Sequence, residues 1–183
     1  MIQINPITSL LDPVTYLASP HCDERPQGIV IDTIVIHNIS LPPGQFGTHC
    51  IDKFFCGLLD KTSHPYFATI AHLKVSAHLL IQRDGVPIQF VPFAKRAWHA
   101  GESYFQGRDR CNNFSIGIEL EGTDETPFEP RQYHNLAKII TMLMQTYPAI
   151  TYDHIIGHSD IAPGRKTDPG IAFDWTYLRE LLP

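Results

Sequence analysis

The chain has 183 residues, of which 43% are hydrophobic and 18% charged, a composition that suits one compact globular domain. A formal net charge of -5 excludes the dense basic face of a nucleic-acid binder, although a local pair of Lys or Arg still suffices for one carboxylate. Four scattered cysteines with no CxxC pair exclude a cysteine zinc finger, and no apolar run reaches the ~18 residues of a membrane span. Reduced thiols are expected, because a chain of this length buries roughly 70% of its unfolded surface and needs no disulfide staples. The start, MIQINPITSLLDPVTY, lacks the basic and continuous apolar stretches of a secretory signal, so a cytoplasmic protein is expected.

Residues 1–27 are polar and interrupted by Pro6, Pro13, Pro20 and Pro26, which predicts an irregular N-terminal arm before a domain over 28–183. GIVIDTIVIH is rich in β-branched residues and predicts a buried strand ending near His37. NISLPPGQFG reads as a loop. Ile51, Phe54, Phe55 and Leu58 then recur at helical spacing within 49–59. Residues 60–74 read as an irregular excursion that, with the proline-rich segment 41–47, is expected to move over the cleft as a lid. SAHLLIQRDGVPIQFVPF predicts a hairpin turning at Asp84-Gly85. KRAWHAGESYFQGRDRCNN reads as a long functional loop, and SIGIELEG as a strand. The longest helix is expected over 130–147, opened by Pro130, with Tyr133, Leu136, Ala137, Ile140, Leu143, Met144 and Tyr147 on one stripe. HIIGH reads as a short strand, SDIAPGRKTDPG as a loop, and 174–182 as a helix capped by Asp174. Strands interleaved with helices predict an α/β fold, a mixed sheet with helices on both faces.

Ten histidines are present, and two of them, His37 and His158, fall where strands are expected to end. Asp168 follows in a loop bounded by proline and glycine. Two imidazoles and one carboxylate make a catalytic zinc set with one open position, because structural zinc usually takes four protein ligands. Such an ion acidifies bound water to a pKa of about 7. A strand-end histidine taken singly is more often a structural hydrogen-bonder.

Glu119 and Glu121 point to one face of their strand, with Ile118 and Leu120 on the other. One reading is an exposed, salt-bridged face. The other is a general base, for which Glu119 is favoured. Lys166, two residues before Asp168, reads either as a surface lysine or as a cation for a developing oxyanion.

The segments VIHNISLPPGQFG, VSAHLLIQRDG, RAWHAGES, CNNFSIGIELEG and GHSDIAPGRKTDPG resemble the zinc N-acetylmuramoyl-L-alanine amidases, a family related to peptidoglycan recognition proteins. The resemblance runs from about Pro20 to Trp175. It implies a central mixed sheet flanked by helices, with Zn2+ held by His37, His158 and Asp168. It assigns catalysis to Glu119 and Lys166. It implies hydrolysis of the amide between anhydro-N-acetylmuramic acid and L-alanine in muropeptides during peptidoglycan recycling, in the cytoplasm, with consequences for β-lactamase induction. The implied partner is this small-molecule substrate alone, with neither nucleic acid nor membrane, and a monomer is expected. Asn38, Trp98, His99, Arg110 and Lys74 are expected to bind substrate. Relatives commonly carry arginine at the position of Lys74, and a lysine keeps the charge without the bidentate fork. His78 is expected to be buried and hydrogen-bonded near the site. Two alternatives stay open: a non-catalytic muropeptide-binding module, and an amidase of polymeric peptidoglycan.

Overall fold

A computed structural model of the chain, describing residues 2–183, places TIVIHNI and SIGIELE side by side in a six-stranded sheet. In chain order, β1 (Gln3–Ile4) and β2 (Leu11–Asp12) form a small antiparallel ribbon. β3 (Thr15–Tyr16) and β4 (Cys22–Asp23) precede β5 (Thr33–Ile39). α1 (Cys50–Phe55) and α2 (Phe67–Ile70) lead to the hairpin of β6 (Leu79–Ile81) and β7 (Pro87–Gln89). β8 (Arg96–Ala97) and the ribbon of β9 (Tyr104–Phe105) and β10 (Arg108–Asp109) precede β11 (Ser115–Glu121). α3 (Pro130–Thr146), β12 (Ile155–Gly157), α4 (His158–Ile161) and α5 (Trp175–Leu181) follow.

The sheet order is β12-β5-β11-β6-β7-β3. The first four strands are mutually parallel, β7 returns antiparallel to β6, and β3 adds parallel to β7, so the sheet is mixed. All seven residues of β11 are buried, as expected of a strand with parallel neighbours on both sides and cover on both faces. Alternation divides the side chains. Ile34, Ile36, Ile116, Ile118, Leu120, Leu79 and Ile81 join the core formed with Leu136, Ile140 and Leu143 of α3 and Leu178 of α5. On the opposite face Leu80 packs with Phe54 and Phe55 of α1 and Phe67 of α2. Gln132 of α3, fully buried, donates to the carbonyls of Ile81 and Glu121 at 3.1 and 3.0 Å and so closes the ends of β6 and β11. Its oxygen accepts from Glu129 N at 3.0 Å, which caps the helix start.

Three expectations change. β5 begins at Thr33 and ends at Ile39, so His37 lies inside the strand, because pairing with β11 continues to Glu121↔Ile39. Ile29 and Val30, assigned to the strand on composition, are exposed by 39% and 60% and lie outside it. The loop expected over 95–113 contains three short strands. Its β9–β10 turn is made by Gln106 and Gly107, both at positive φ, as a two-residue hairpin turn requires.

Where an irregular arm is expected over 1–27, the segment instead enters the fold. β3 extends the main sheet, and β4 pairs with β8 through Cys22↔Ala97 and Asp23↔Arg96. Arg25 ends the arm in the interior. Its guanidinium donates to four carbonyls, those of Asn112 (3.0 Å), Asn113 (2.9 Å), Phe93 (3.1 Å) and Ser115 (2.9 Å). Burial pushes its pKa down to about 10, the sign of a cation paired with dipoles and no carboxylate. Hydrogen bonds to a charged group contribute about 1.5–3 kcal/mol each, and carbonyls left unpaired cost more than the bonds were worth. Arg25→Leu is therefore expected to lower unfolding stability by about 3 kcal/mol or more in urea titration. A change under ~1 kcal/mol would mean that water replaces the guanidinium.

Candidate active site

The site is a row across the sheet. Gly157 pairs with Ile36, so His158, one residue further on, comes level with His37, and His37 is itself the register partner of Glu119. Neighbouring strands lie about 4.8 Å apart, so the sheet brings these side chains together whatever the loops do. Asp168 comes from the loop after α4. Ser159 N donates to its carbonyl at 3.0 Å, and Asn38 Nδ2 donates to the Pro169 carbonyl at 2.9 Å and to Asp124 Oδ1 at 2.7 Å. Gly170 completes the turn at φ +82°, where an added Cβ would run into the Asp124 backbone.

His37 Nδ1, His158 Nδ1 and Asp168 Oδ2 form a triangle with sides of 3.0, 2.9 and 3.0 Å. Behind it, His158 Nε2 faces the Ala100 carbonyl at 3.1 Å, and His37 Nε2 faces His99 Nδ1 at 2.9 Å. A carbonyl only accepts, so the hydrogen of neutral His158 sits on Nε2 and its Nδ1 lone pair faces the triangle. Burial pushes the His37 pKa down to about 4, which keeps that ring neutral near pH 7. Asp168 supplies the one carboxylate of the triangle, its Oδ2 facing the Nδ1 atoms of both rings. With both rings neutral and Asp168 ionised, the set carries one negative charge. Ligands 2.0–2.1 Å from a tetrahedral divalent ion stand about 3.3–3.4 Å apart, so a small expansion would fit the triangle to such a cation.

The two strand acids part company. Both oxygens of Glu121 accept backbone N–H groups, from Gly47 at 2.6 Å and Arg83 at 3.1 Å, so it ties two loops to β11. Glu119 is 8% exposed, and its Oε2 is buried with no partner. Burial raises its pKa well above the usual carboxylate value, Asp168 adds to the rise and Lys166 opposes it. An orphaned carboxylate beside a cation-sized triangle is a group arranged for something outside the chain. His37, Asn38, His99, Glu119, His158, Lys166 and Asp168 all line one cavity of about 690 Å³.

A family model described as N-acetylmuramoyl-L-alanine amidase matches residues 26–171. The chain belongs to this family. It is 58% identical to the 1,6-anhydro-N-acetylmuramyl-L-alanine amidase AmpD of Enterobacter cloacae, over 91% of this chain and 89% of that one. A crystal structure of a Se-Met AmpD derivative superposes with a TM-score of 0.94 at 54% identity, covering 96% of this chain and 98% of that one. The amidase AmiD of Escherichia coli, solved as a complex with the substrate anhydro-N-acetylmuramic acid-L-Ala-D-gamma-Glu-L-Lys, superposes with a TM-score of 0.61 at 31% identity, over 86% of this chain and 60% of that one.

Not every residue expected at the amidase site reaches it. Trp98 donates its indole N–H to Asp23 at 3.1 Å and stacks on His21, outside the cavity lining. Lys74 and Arg110 are exposed and also outside the lining. His99 lines the cavity, but both its ring nitrogens already face protein atoms. Asn38 has both amide hydrogens engaged, which leaves its oxygen for a ligand. Asp124 and Arg165 also line the cavity; each is a single charged residue in a polar loop, a pattern that carries no sequence signal for a site. The segments 41–47 and 60–74 contribute Leu41, Pro43, Gly44, Tyr66, Ile70 and Leu73 to its walls.

His78 lies behind the site. Gly117 N donates to its Nδ1 at 3.0 Å, so its Nε2 carries the hydrogen that the Lys95 carbonyl accepts at 3.1 Å. Burial, reinforced by Arg25, pushes its pKa down to about 3. An unfolded histidine titrates near ~6.5, so acid protonates the unfolded chain first. The stability that His78 contributes is complete above pH ~6.5 and is lost as the pH falls from there towards 3. In metal-free protein, stability is expected to drop between pH 7.5 and 4.5, and His78→Gln should shrink that drop by about 2 kcal/mol. An unchanged drop would assign the acid sensitivity to other groups.

Proposed function

We propose that the chain is a zinc-dependent amidase that hydrolyses the bond between anhydro-N-acetylmuramic acid and L-alanine in soluble muropeptides. The proposed setting is peptidoglycan recycling in the cytoplasm, as a monomer. Removal of these muropeptides would lower a signal for β-lactamase induction. The observation that carries the chemistry is the unpartnered Glu119 oxygen beside the His37–His158–Asp168 triangle. Support for the substrate comes from relatives that bear the anhydromuramyl amidase name over nine-tenths of the chain. Among the described residues no helix is long and apolar enough to cross a membrane.

In this reading His37, His158 and Asp168 hold the zinc ion. When bound, zinc supplies Lewis acidity, lowering the pKa of water and polarising the scissile carbonyl. Glu119 accepts the proton of the attacking water through Oε2 and returns a proton to the departing L-alanine nitrogen, so its charge is restored each cycle. Its pKa, lifted by burial and by Asp168, suits a group that both takes and gives a proton. Lys166, exposed at the cavity wall, brings its ammonium to the oxyanion as the carbonyl becomes tetrahedral. Hydrolysis releases the lactyl carboxylate and the free peptide amine. Asn38 holds the Asp168 loop and offers its remaining oxygen to a peptide N–H.

Glu119→Gln is expected to retain one zinc per chain while kcat falls by about 10²–10⁴-fold, since it removes a base and no ligand. Zinc content by metal analysis and turnover of an anhydromuropeptide check this, and near-normal turnover would hand the proton to another group. Asp168→Ala should instead lose zinc, and full occupancy in that variant would strike it from the ligand set. Soluble anhydromuropeptide should be cut faster than intact sacculi. Equal or faster release from sacculi would overturn the substrate assignment.

A further inference from the structure

We propose that His99 is a positioning residue that sets the tautomer of His37, through a directed hydrogen-bond relay ending on the Cys111 carbonyl; this rests on the zinc reading above. The direction of every bond follows from its end. Ser115 Oγ lies 2.6 Å from the Cys111 carbonyl, which only accepts, so the single hydroxyl hydrogen points there. The Ser115 oxygen can then only accept from His99 Nε2, 3.1 Å away, which places the hydrogen of neutral His99 on Nε2 and leaves Nδ1 bare. That bare Nδ1 accepts His37 Nε2–H at 2.9 Å. Neutral His37 is left with its lone pair on Nδ1, the atom that faces His158 and Asp168.

The relay acts against a specific competitor. With its hydrogen on Nδ1, His37 would donate to Asp168 Oδ2 at 2.9 Å and have no lone pair of its own to offer a cation. His158 needs no relay, because its Nε2 donates directly to the Ala100 carbonyl at 3.1 Å. Both devices sit on one segment. Asn112 Oδ1 accepts the backbone N–H of His99 at 3.1 Å and of Ala100 at 2.8 Å. The sheet leaves room for the ring through Gly117 of β11, where an added Cβ would collide with the His99 imidazole.

The test reads tautomers and metal affinity, not turnover. Long-range ¹⁵N–¹H correlation of the imidazoles in metal-free protein reports which His37 nitrogen is protonated, and competition with a chromogenic chelator gives the zinc Kd. In the unaltered chain His37 should carry its hydrogen on Nε2. His99→Phe should populate the Nδ1–H form and raise the zinc Kd by about 10–100-fold, the range for removing a partner behind a ligand. His99→Asn, whose oxygen can stand near the place of Nδ1, should restore the Kd to within about fivefold. Ser115→Ala should raise the Kd and Ser115→Thr should not. Gly117→Ala should mimic His99→Phe while removing no polar group, which keeps the question decidable if His99→Phe fails to fold.

The proposal falls if folded His99→Phe or Gly117→Ala keeps His37 on Nε2–H with a Kd within about twofold of the parent. It also falls if the parent His37 carries its hydrogen on Nδ1. Failure to bind zinc or to cut anhydromuropeptide would overturn the amidase reading, while the metal-free tautomer still decides the relay.

Discussion

Three atoms that each present a lone pair within 3.0 Å of one another repel, and the rest of the structure is arranged so that they cannot turn away. His158 is held from behind by the Ala100 carbonyl and His37 by the His99 ring. Asp168 is held by its loop, which Ser159 N and Asn38 fasten to α4 and β5. These restraints cost conformational freedom and gain little from one another, so the stability has to come from elsewhere. It comes from the opposite face of the same strands, where Ile34, Ile36, Ile116, Ile118 and Leu120 are fully buried against α3 and α5. Each such side chain contributes about 1.5–3 kcal/mol on burial. One face of the sheet stabilises and the other concentrates unfavourable polarity.

Much of this division was legible in the residues. β-Branched runs marked β5 and β11, period-two alternation put Glu119 and Glu121 on one face, and Asp84-Gly85 marked the β6–β7 turn. What alternation could not say is which acid is satisfied. That depends on amide groups of Gly47 and Arg83, which lie tens of residues away in sequence and carry no side-chain signature. The same limit applies to Trp98, Lys74 and Arg110. A loop's composition shows that aromatic and basic groups are present, but direction is decided by partners such as Asp23, whose bond to the Trp98 indole only the pairing of β4 with β8 makes available. Strands of two residues are too short to show a period, so β8, β9 and β10 read as one long loop.

The N-terminal segment shows how a proline-broken, polar stretch can still be structural. Arg25 grips the carbonyls of Asn112, Asn113 and Ser115, while the side chains of Asn112 and Ser115 face the segment 98–100. Backbone on one side and side chain on the other make these residues the joint between the arm and the candidate site. A family model that begins at residue 26 leaves out the arginine that braces that joint.

The strand register has an evolutionary consequence. His37 and Glu119 alternate with Ile36 and Ile118, so sliding β5 by a single residue against β11 would bring an isoleucine to the place of His37 in the triangle and force an imidazole into the oily layer beneath α3. An insertion or deletion upstream in either strand is therefore punished twice, once in folding and once in chemistry. Novelty in this scaffold is channelled into the rim segments, whose lengths can drift without disturbing the alignment that makes the enzyme an enzyme.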